Sequence, residues 1–338
     1  MPDLNCPSFT LPPRAYNAEG KTRRVGFEFE YAGLPLSRSA EIVRNVFGGT
    51  IEHRHRFHFL VTGTRFGEFS IESDSSLLKD KRYEKHLQSL GLDPATSEIG
   101  QKLEEWIESV SNDFVPFEIV SPPLPMNDLE CIEELRHELM QAGARGTHAH
   151  LFAAYGMQFN PEIPAFDVGT LVGYMRAFFL LFDRLRASSD VPIARRLLPY
   201  IDPFPESYVE KVLDLDYEPD LERFMRDYLK ENPTRNRPLD WLPLFAYLNH
   251  DLVFEYPVEK HLIKPRPTLH YRLPSSLIDD PKWSIAAEWK KWIEIECLAC
   301  DQDLQEAMVR EWRQIHGPLQ LRSESRWLKR SDEMISRS

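Results

Sequence analysis

Ionisable side chains recur two residues apart in stretches that are otherwise apolar. Glu28 and Glu30 alternate with Val25, Phe27, Phe29 and Tyr31. A strand puts such a pair on one face, about 7 Å apart, which suits two neighbouring metal ions taking one carboxylate each. Glu118 stands alone in Phe117-Glu118-Ile119-Val120. His148 and His150 share a strand face, and so do His270 and Arg272, with Leu269, Tyr271 and Leu273 opposite. Each pattern by itself also fits a solvated sheet face. Together they are complementary: carboxylates, imidazoles and a guanidinium could converge inside a curved sheet. Isolated buried carboxylates are costly, so such a cluster calls for cations. Oxygen ligands favour Mg2+, and histidine tilts the balance toward Mn2+.

The chemistry that needs this cluster is phosphoryl transfer. ATP carries about four negative charges, and bringing it to a second carboxylate takes metal ions that bridge protein carboxylates and phosphate oxygens. An arginine then offsets charge on the transferred group. No G-x-x-x-x-G-K-[ST] run occurs, which excludes a P-loop.

The elements that must carry these groups can be read from periodicity. Val25 to Tyr31 predicts a strand, and Ser37 to Phe47 a helix stopped by Gly48-Gly49. Thr50 to Thr62 and Arg65 to Ser73 read as two strands joined at Gly63. Ser97 to Val110 predicts a helix, and Phe114 to Val120 a strand ended by Ser121-Pro122-Pro123. Asn127 is placed to cap a helix running to about Ala142. Thr147 to Phe152 reads as a strand, and Val168 to Leu185 as the most apolar helix. Residues 190 to 250 read as mostly helical, and Pro267 to Leu273 as the last strand. Asp280, with Pro281 behind it, is placed to cap a long helix that continues, with a break, toward His316. Strands that are not separated by regular helices point to an α+β fold around a curved, mainly antiparallel sheet. The expected organisation is an irregular arm over 1–20, one domain over 21–325 with a mostly helical insertion near 165–250, and a charged tail over 326–338.

A net charge of -12 disfavours nucleic acid as a partner. The N-terminal residues lack an apolar signal-type run, and the apolar stretch Ala177 to Phe182 is too short to span a membrane. A cytoplasmic protein is the expectation; oligomeric state stays open. Cys297-x-x-Cys300 lies in a helical tract and reads as two small residues on one helix face. His53, His55 and His58 read as a solvated or half-buried sheet face rather than a metal tract.

Val25-Gly26-Phe27-Glu28-Phe29-Glu30 resembles the opening strand motif of the amidoligases, carboxylate–amine ligases grouped with glutamine synthetase and glutamate–cysteine ligase. Three later segments follow in order: Glu118-Ile119-Val120-Ser121-Pro122-Pro123-Leu124, Gly146-Thr147-His148-Ala149-His150, and Pro267-Thr268-Leu269-His270-Tyr271-Arg272. The stretch from Phe66 to Leu77, with Asp74-Ser75-Ser76, is similar to the segment before the family's Asp-x-Ser. The resemblance covers about residues 22 to 300 and implies a glutamine-synthetase-like catalytic funnel.

It also implies roles. Glu28, His148 and His270 would hold a metal ion near the transferred phosphate, and Glu30 and Glu118 a second one near the substrate carboxylate. Arg272 would contact phosphate. Arg235 and Arg237 lie where a substrate-binding arginine is placed, although two arginines after Pro233 also fit a solvated loop. His150 would orient the nucleotide or a ligand, or simply pack. Asp74 either binds or deprotonates the incoming amine or caps a turn. One departure stands out: His270 replaces the Glu usual in the superfamily, which removes a negative charge and opens altered metal preference or weakened catalysis. The implied reaction uses ATP and Mg2+ to form an amide through an acyl phosphate. The alternatives are a divalent-metal-dependent hydrolase and a non-catalytic binding relative.

Overall fold

Strand β1 (Arg24–Tyr31) decides what each face of the sheet is for. Its odd-numbered residues Val25, Phe27, Phe29 and Tyr31 are buried, while Glu28 and Glu30 on the other face are half-buried. In this computed structural model the described residues are 8–55, 57–73, 116–147, 155–188, 202–316 and 324–336.

Eight further strands join it: β2 (Thr50–His55), β3 (His58–Thr62), β4 (Phe69–Ser73), β5 (Phe117–Val120), β6 (Leu124–Pro125), β7 (Met157–Pro161), β8 (Leu239–Asp240) and β9 (His270–Tyr271). Their order is β2-β3-β4-β5-β1-β7-β9-β8, with β6 pairing the start of β1. Every ladder in this open sheet is antiparallel. The expected antiparallel architecture is therefore present, with β1 near the middle.

Register carries β1's alternation across the sheet. Phe29 pairs Ile119, which pairs Ile71; Phe27 pairs Phe159, which pairs Tyr271, which pairs Leu239. All are buried. Helices cover this apolar face. Tyr31 donates a 2.7 Å hydrogen bond to Ser39 on α1 (Leu36–Phe47). Phe159 and Tyr271 lie 5.8 and 5.5 Å, ring to ring, from Trp289 and Trp292 of α8 (Ile285–Cys300). Phe178 of α3 (Val168–Ser188) adds a 6.5 Å edge contact to Tyr271. Helix α2 (Glu130–Gln141) packs beside α1 and α8.

The remaining helices are α4 (Glu206–Val212), α5 (Leu221–Glu231), α6 (Leu242–Leu248), α7 (His250–Phe254), α9 (Gln302–His316) and α10 (Glu324–Ile335). No described helix is long and apolar enough to cross a membrane.

The structure redraws several expected boundaries. Thr50 to Thr62 is itself a hairpin, because a turn at residue 57 separates β2 from β3. The last strand shrinks to His270–Tyr271, although Thr268 still bridges Glu162. Helix α2 starts at Glu130 without a side-chain cap, and Asn127 does not cap it. The long C-terminal helix starts at Ile285 rather than after Asp280. Ser284 caps it through Ala287 N–H, and the buried Glu133 accepts the Ile285 N–H at 2.8 Å. Two orphan donors at the helix start thus find partners from tertiary structure as well as local sequence. That helix breaks at Asp301 before α9, as expected. The stretch near 165–250 also supplies β8 to the sheet. Most of the expected C-terminal tail is helix α10, with Trp327 1% exposed and its indole N–H bonded to the Leu180 carbonyl. The predicted helix Ser97 to Val110 and most of the strand Thr147 to Phe152 lie outside the described residues.

A buried ion pair clamps the start of β1. Arg23 donates from both terminal nitrogens to the two oxygens of Glu296 on α8, at 3.0 and 2.7 Å, and both side chains are fully buried. Arg23 also donates to the carbonyls of Glu162 and Arg14, while Trp292 and Tyr174 donate to Glu296. Such a satisfied network ties arm, sheet and two helices together. Glu296→Ala is expected to cost about 3–5 kcal/mol in a urea unfolding curve, because it leaves Arg23 buried without its counter-ion. A loss below about 1 kcal/mol would mean the pair does not hold β1 in place.

Candidate active site

The even-numbered residues of β1 set up the second face. Glu30 sits directly opposite Glu118 on β5, Glu118 opposite Glu72 on β4, and Glu72 opposite His58 on β3. One row therefore carries three adjacent half-buried carboxylates ending at an imidazole. Like charges facing each other across a ladder destabilise a sheet, so this row opposes folding unless cations meet it.

A second row starts at Glu28, which pairs Gln158 on β7. The row beside it starts at Gly26, which pairs Asn160, and its far end is His270, which pairs Asp240. Side-chain hydrogen bonds link the two rows: Asn160 donates to Glu28 at 2.7 Å, and Gln158 donates to Asn160 at 2.7 Å. The Gln158 amide also contacts His270 Nδ1 at 3.1 Å. Glu30 accepts the Gly156 N–H at 2.6 Å. Each carboxylate on β1 is thus aimed by a neighbour on or beside β7.

His270 is 4% exposed, and its Nε2 has no hydrogen-bond partner among the described residues. Burial first, then Arg272, Arg235 and Arg266, pushes its pKa well below the usual imidazole value. The ring is therefore neutral near pH 7 and free to act as a ligand. Burial, followed by the Glu30 carboxylate, pushes Tyr155 up to about 12, so its phenol stays protonated.

Asp240, fully buried, ends the row. One of its oxygens lies 3.2 Å from Arg235 Nε and 3.2 Å from an Arg272 terminal nitrogen; the other accepts the Leu242 N–H at 3.0 Å. One carboxylate between two guanidiniums leaves net positive charge, which suits a phosphate or carboxylate. Arg237 turns elsewhere. It donates to the Asp202 and Pro203 carbonyls and lies over the Phe204 ring at 5.7 Å. Of the two candidate substrate arginines, only Arg235 joins this row.

The motif residues that are not ionisable also have physical jobs. Ser121 Oγ accepts the Phe27 N–H at 2.8 Å and donates to the Pro122 carbonyl, which ends the β1–β5 ladder just past Glu118. A Cβ at Gly146 would lie 2.5 Å from the Ser276 carbonyl oxygen and 2.6 Å from Asp279 Oδ1, so only glycine fits where the chain leads into His148.

The structure therefore brings Glu28, Glu30, Glu118, His270 and Arg272 onto one sheet face, and Arg235 meets it from a loop through Asp240. His148, His150 and Asp74 lie outside the described residues. Among the described residues, no three His, Cys, Asp or Glu side chains stand close enough to hold a metal ion. The donor chemistry still suits a hard divalent cation: a row of carboxylate oxygens, plus one neutral imidazole whose Nε2 has no partner among the described residues. Glu72, Gln158, Asn160 and Asp240 were not evident as site residues from sequence. The alternation in Phe69–Ser73 and Met157–Pro161 carried a signal for the first three. Asp240 lies on a two-residue strand with no period to read.

Asp240→Asn removes the charge shared by Arg235 and Arg272. It is expected to lower stability by about 2–3 kcal/mol, below the fully buried limit because the guanidiniums are 21% and 23% exposed. Thermal or urea melts check this. His270 gives a pH prediction. Its folded pKa lies below its unfolded value of about 6.5, so the unfolded chain binds the extra proton. Stability of the metal-free protein is fully present above about pH 6.5 and falls as pH drops below it. His270→Gln should flatten that slope in paired unfolding curves at about pH 5 and about pH 7.5.

A family model described as "putative amidoligase enzyme" matches residues 21–294. No curated protein and no solved structure shows a significant match. Every strand of the sheet lies inside the matched span, and the chain belongs to this amidoligase family.

Proposed function

We propose that the protein is an ATP-dependent carboxylate–amine ligase, built on a glutamine-synthetase-like funnel, that forms its amide through an acyl phosphate. The observation that carries this reading is the facing row Glu30–Glu118–Glu72, with Glu28 and neutral His270 beside it on one sheet face. Family membership supports a ligase.

Glu28 and His270, with His148, would hold one Mg2+ or Mn2+, and Glu30 and Glu118 a second; the ions would supply charge stabilisation to phosphate oxygens. Asn160 fixes the Glu28 carboxylate, and Gly156 fixes Glu30, so neither reorganises during the reaction. Replacing Glu by His at 270 lowers the negative charge of the donor set by one. Arg272 and Arg235, held together by Asp240, would bind the anionic group being transferred or activated. Arg272 takes the role nearer phosphate, and Arg235 the substrate carboxylate. His150 would orient the nucleotide and Asp74 the incoming amine. The reacting carboxylate attacks the γ-phosphorus of ATP and releases ADP; the amine then attacks the acyl carbon and releases phosphate.

An ADP-release assay with Mg2+ and a panel of carboxylates and amines tests this. Turnover should require ATP, a carboxylate and an amine together, and Glu28→Ala should lower it by about 100-fold or more. Unchanged turnover in Glu28→Ala, or product formed without nucleotide, would overturn the ligase reading.

A further inference from the structure

The proton on His270 is placed by a chain of side chains that begins at Glu28. An ionised carboxylate only accepts hydrogen bonds, so the Asn160 group 2.7 Å from Glu28 Oε1 is its NH2. That orientation turns the Asn160 carbonyl oxygen toward Gln158. The Gln158 group 2.7 Å from this oxygen has to donate, and it is Nε2. The same nitrogen lies 3.1 Å from His270 Nδ1 and has a second hydrogen to give. Nδ1 therefore accepts and carries no proton. The imidazole proton is left on Nε2.

A nitrogen that bears a proton cannot ligate a metal ion. Ligation through Nε2 needs the other tautomer, with Nδ1–H facing an oxygen of Gln158. The Gln158 amide would have to turn over, and Asn160 with it. Asn160 would then present its oxygen to the Glu28 carboxylate, and like partial charges repel. With Glu28 bonded as it is, the ring is a donor.

That donor is unused by the protein. The His270 side chain is buried, and Nε2 has no acceptor among the described residues. Leaving a buried donor without an acceptor is costly, so an acceptor from outside is favoured. The surroundings choose its sign. Asp240, the ladder partner of His270, is engaged by Arg235, Arg272 and the Leu242 N–H. Arg266 adds a third positive charge felt at the ring. Three guanidiniums against one Asp240 leave two positive charges. Glu28, the other carboxylate of the network, is held off by Asn160 and Gln158. Arg235 and Arg272 are partly exposed, so an anion can approach from their side. A phosphate group brings three or more acceptor oxygens and up to two negative charges, whereas a carboxylate brings two oxygens and one charge.

The geometry points to His270 as the Nε2–H donor of an oxyanion subsite, shared with Arg235 and Arg272, whose ligand is a phosphate-type group. A Glu at 270 could not donate, so His changes the role of the position as well as its charge. This refines the ligase reading at one residue: His270 serves the phosphate rather than the metal ion. It rests on that reading for what carries the phosphate, whereas the proton's place and phosphate binding are measurable without turnover.

Nitrogen NMR of the full-length, chelator-treated protein, labelled at histidine, reads the tautomer. The resonance lost in His270→Gln identifies the ring, which should carry its proton on Nε2 and shift when inorganic phosphate is added. Calorimetry with inorganic phosphate reads the subsite. His270→Gln and His270→Met have nearly one shape, and only Gln can donate. The Gln variant should keep the wild-type phosphate affinity within about threefold, and the Met variant should lose about tenfold or more. A proton on Nδ1, no phosphate binding by wild type, or equal affinities in the two variants overturns the assignment. Should a variant fail to fold, the wild-type phosphate titration still decides. If ADP release is absent while the tautomer and phosphate binding stand, the ligase reading fails and the His270 assignment does not.

Discussion

Register in an antiparallel sheet is a hard constraint, because a slip of one residue turns every side chain to the other face. In this protein that slip would bury Glu28, Glu30 and Glu118 under helices and push Phe27, Phe29 and Ile119 outward. Neither outcome is compatible with folding: unpaired buried carboxylates and stranded aromatic area both cost several kcal/mol. The apolar face therefore holds the polar face in alignment. Stability and chemistry are divided between the two sides of the same strands.

The clamp at the start of β1 adds a second restraint on that register. Arg23 is the residue just before the strand, and its guanidinium reaches Glu296 in the helix layer. It also bonds the carbonyl of Glu162, just past the end of β7. The β1–β7 pairing, which sets Glu28 against Gln158, is thus fixed at its open end by a side chain that takes no part in the polar face. A buried ion pair is weak evidence for net stability, but it discriminates strongly between arrangements that do and do not satisfy it.

On the polar face, charge changes sign along the sheet. Carboxylates crowd the rows over β4, β5 and β1, whereas Arg272 and Arg235 gather at β9 and β8 around a single Asp240. Neutral His270 stands between the two regions, kept uncharged by burial and by the arginines. Such a gradient favours a ligand with cations at one end and anions at the other, as a metal-bound polyanion would be.

Much of this was legible in the amino-acid order. Alternation in Val25 to Tyr31 and around Glu118 gave both strands and the faces of their carboxylates, since a period of two needs only local sterics. The long apolar helix Val168–Ser188 was equally plain from its spacing. Short elements were not. Strand β8 is two residues long, and its existence depends on β9 being beside it. Helix α8 begins at Ile285 rather than near Asp280 because Glu133, about 150 residues away, accepts its first N–H groups. Asp240 became a site residue only because β8 delivers it to Arg235 and Arg272. The sequence by itself determined which residues could do chemistry and which face each would take. Tertiary structure alone decided which of them meet, because pairings between distant strands depend on packing that no local period encodes.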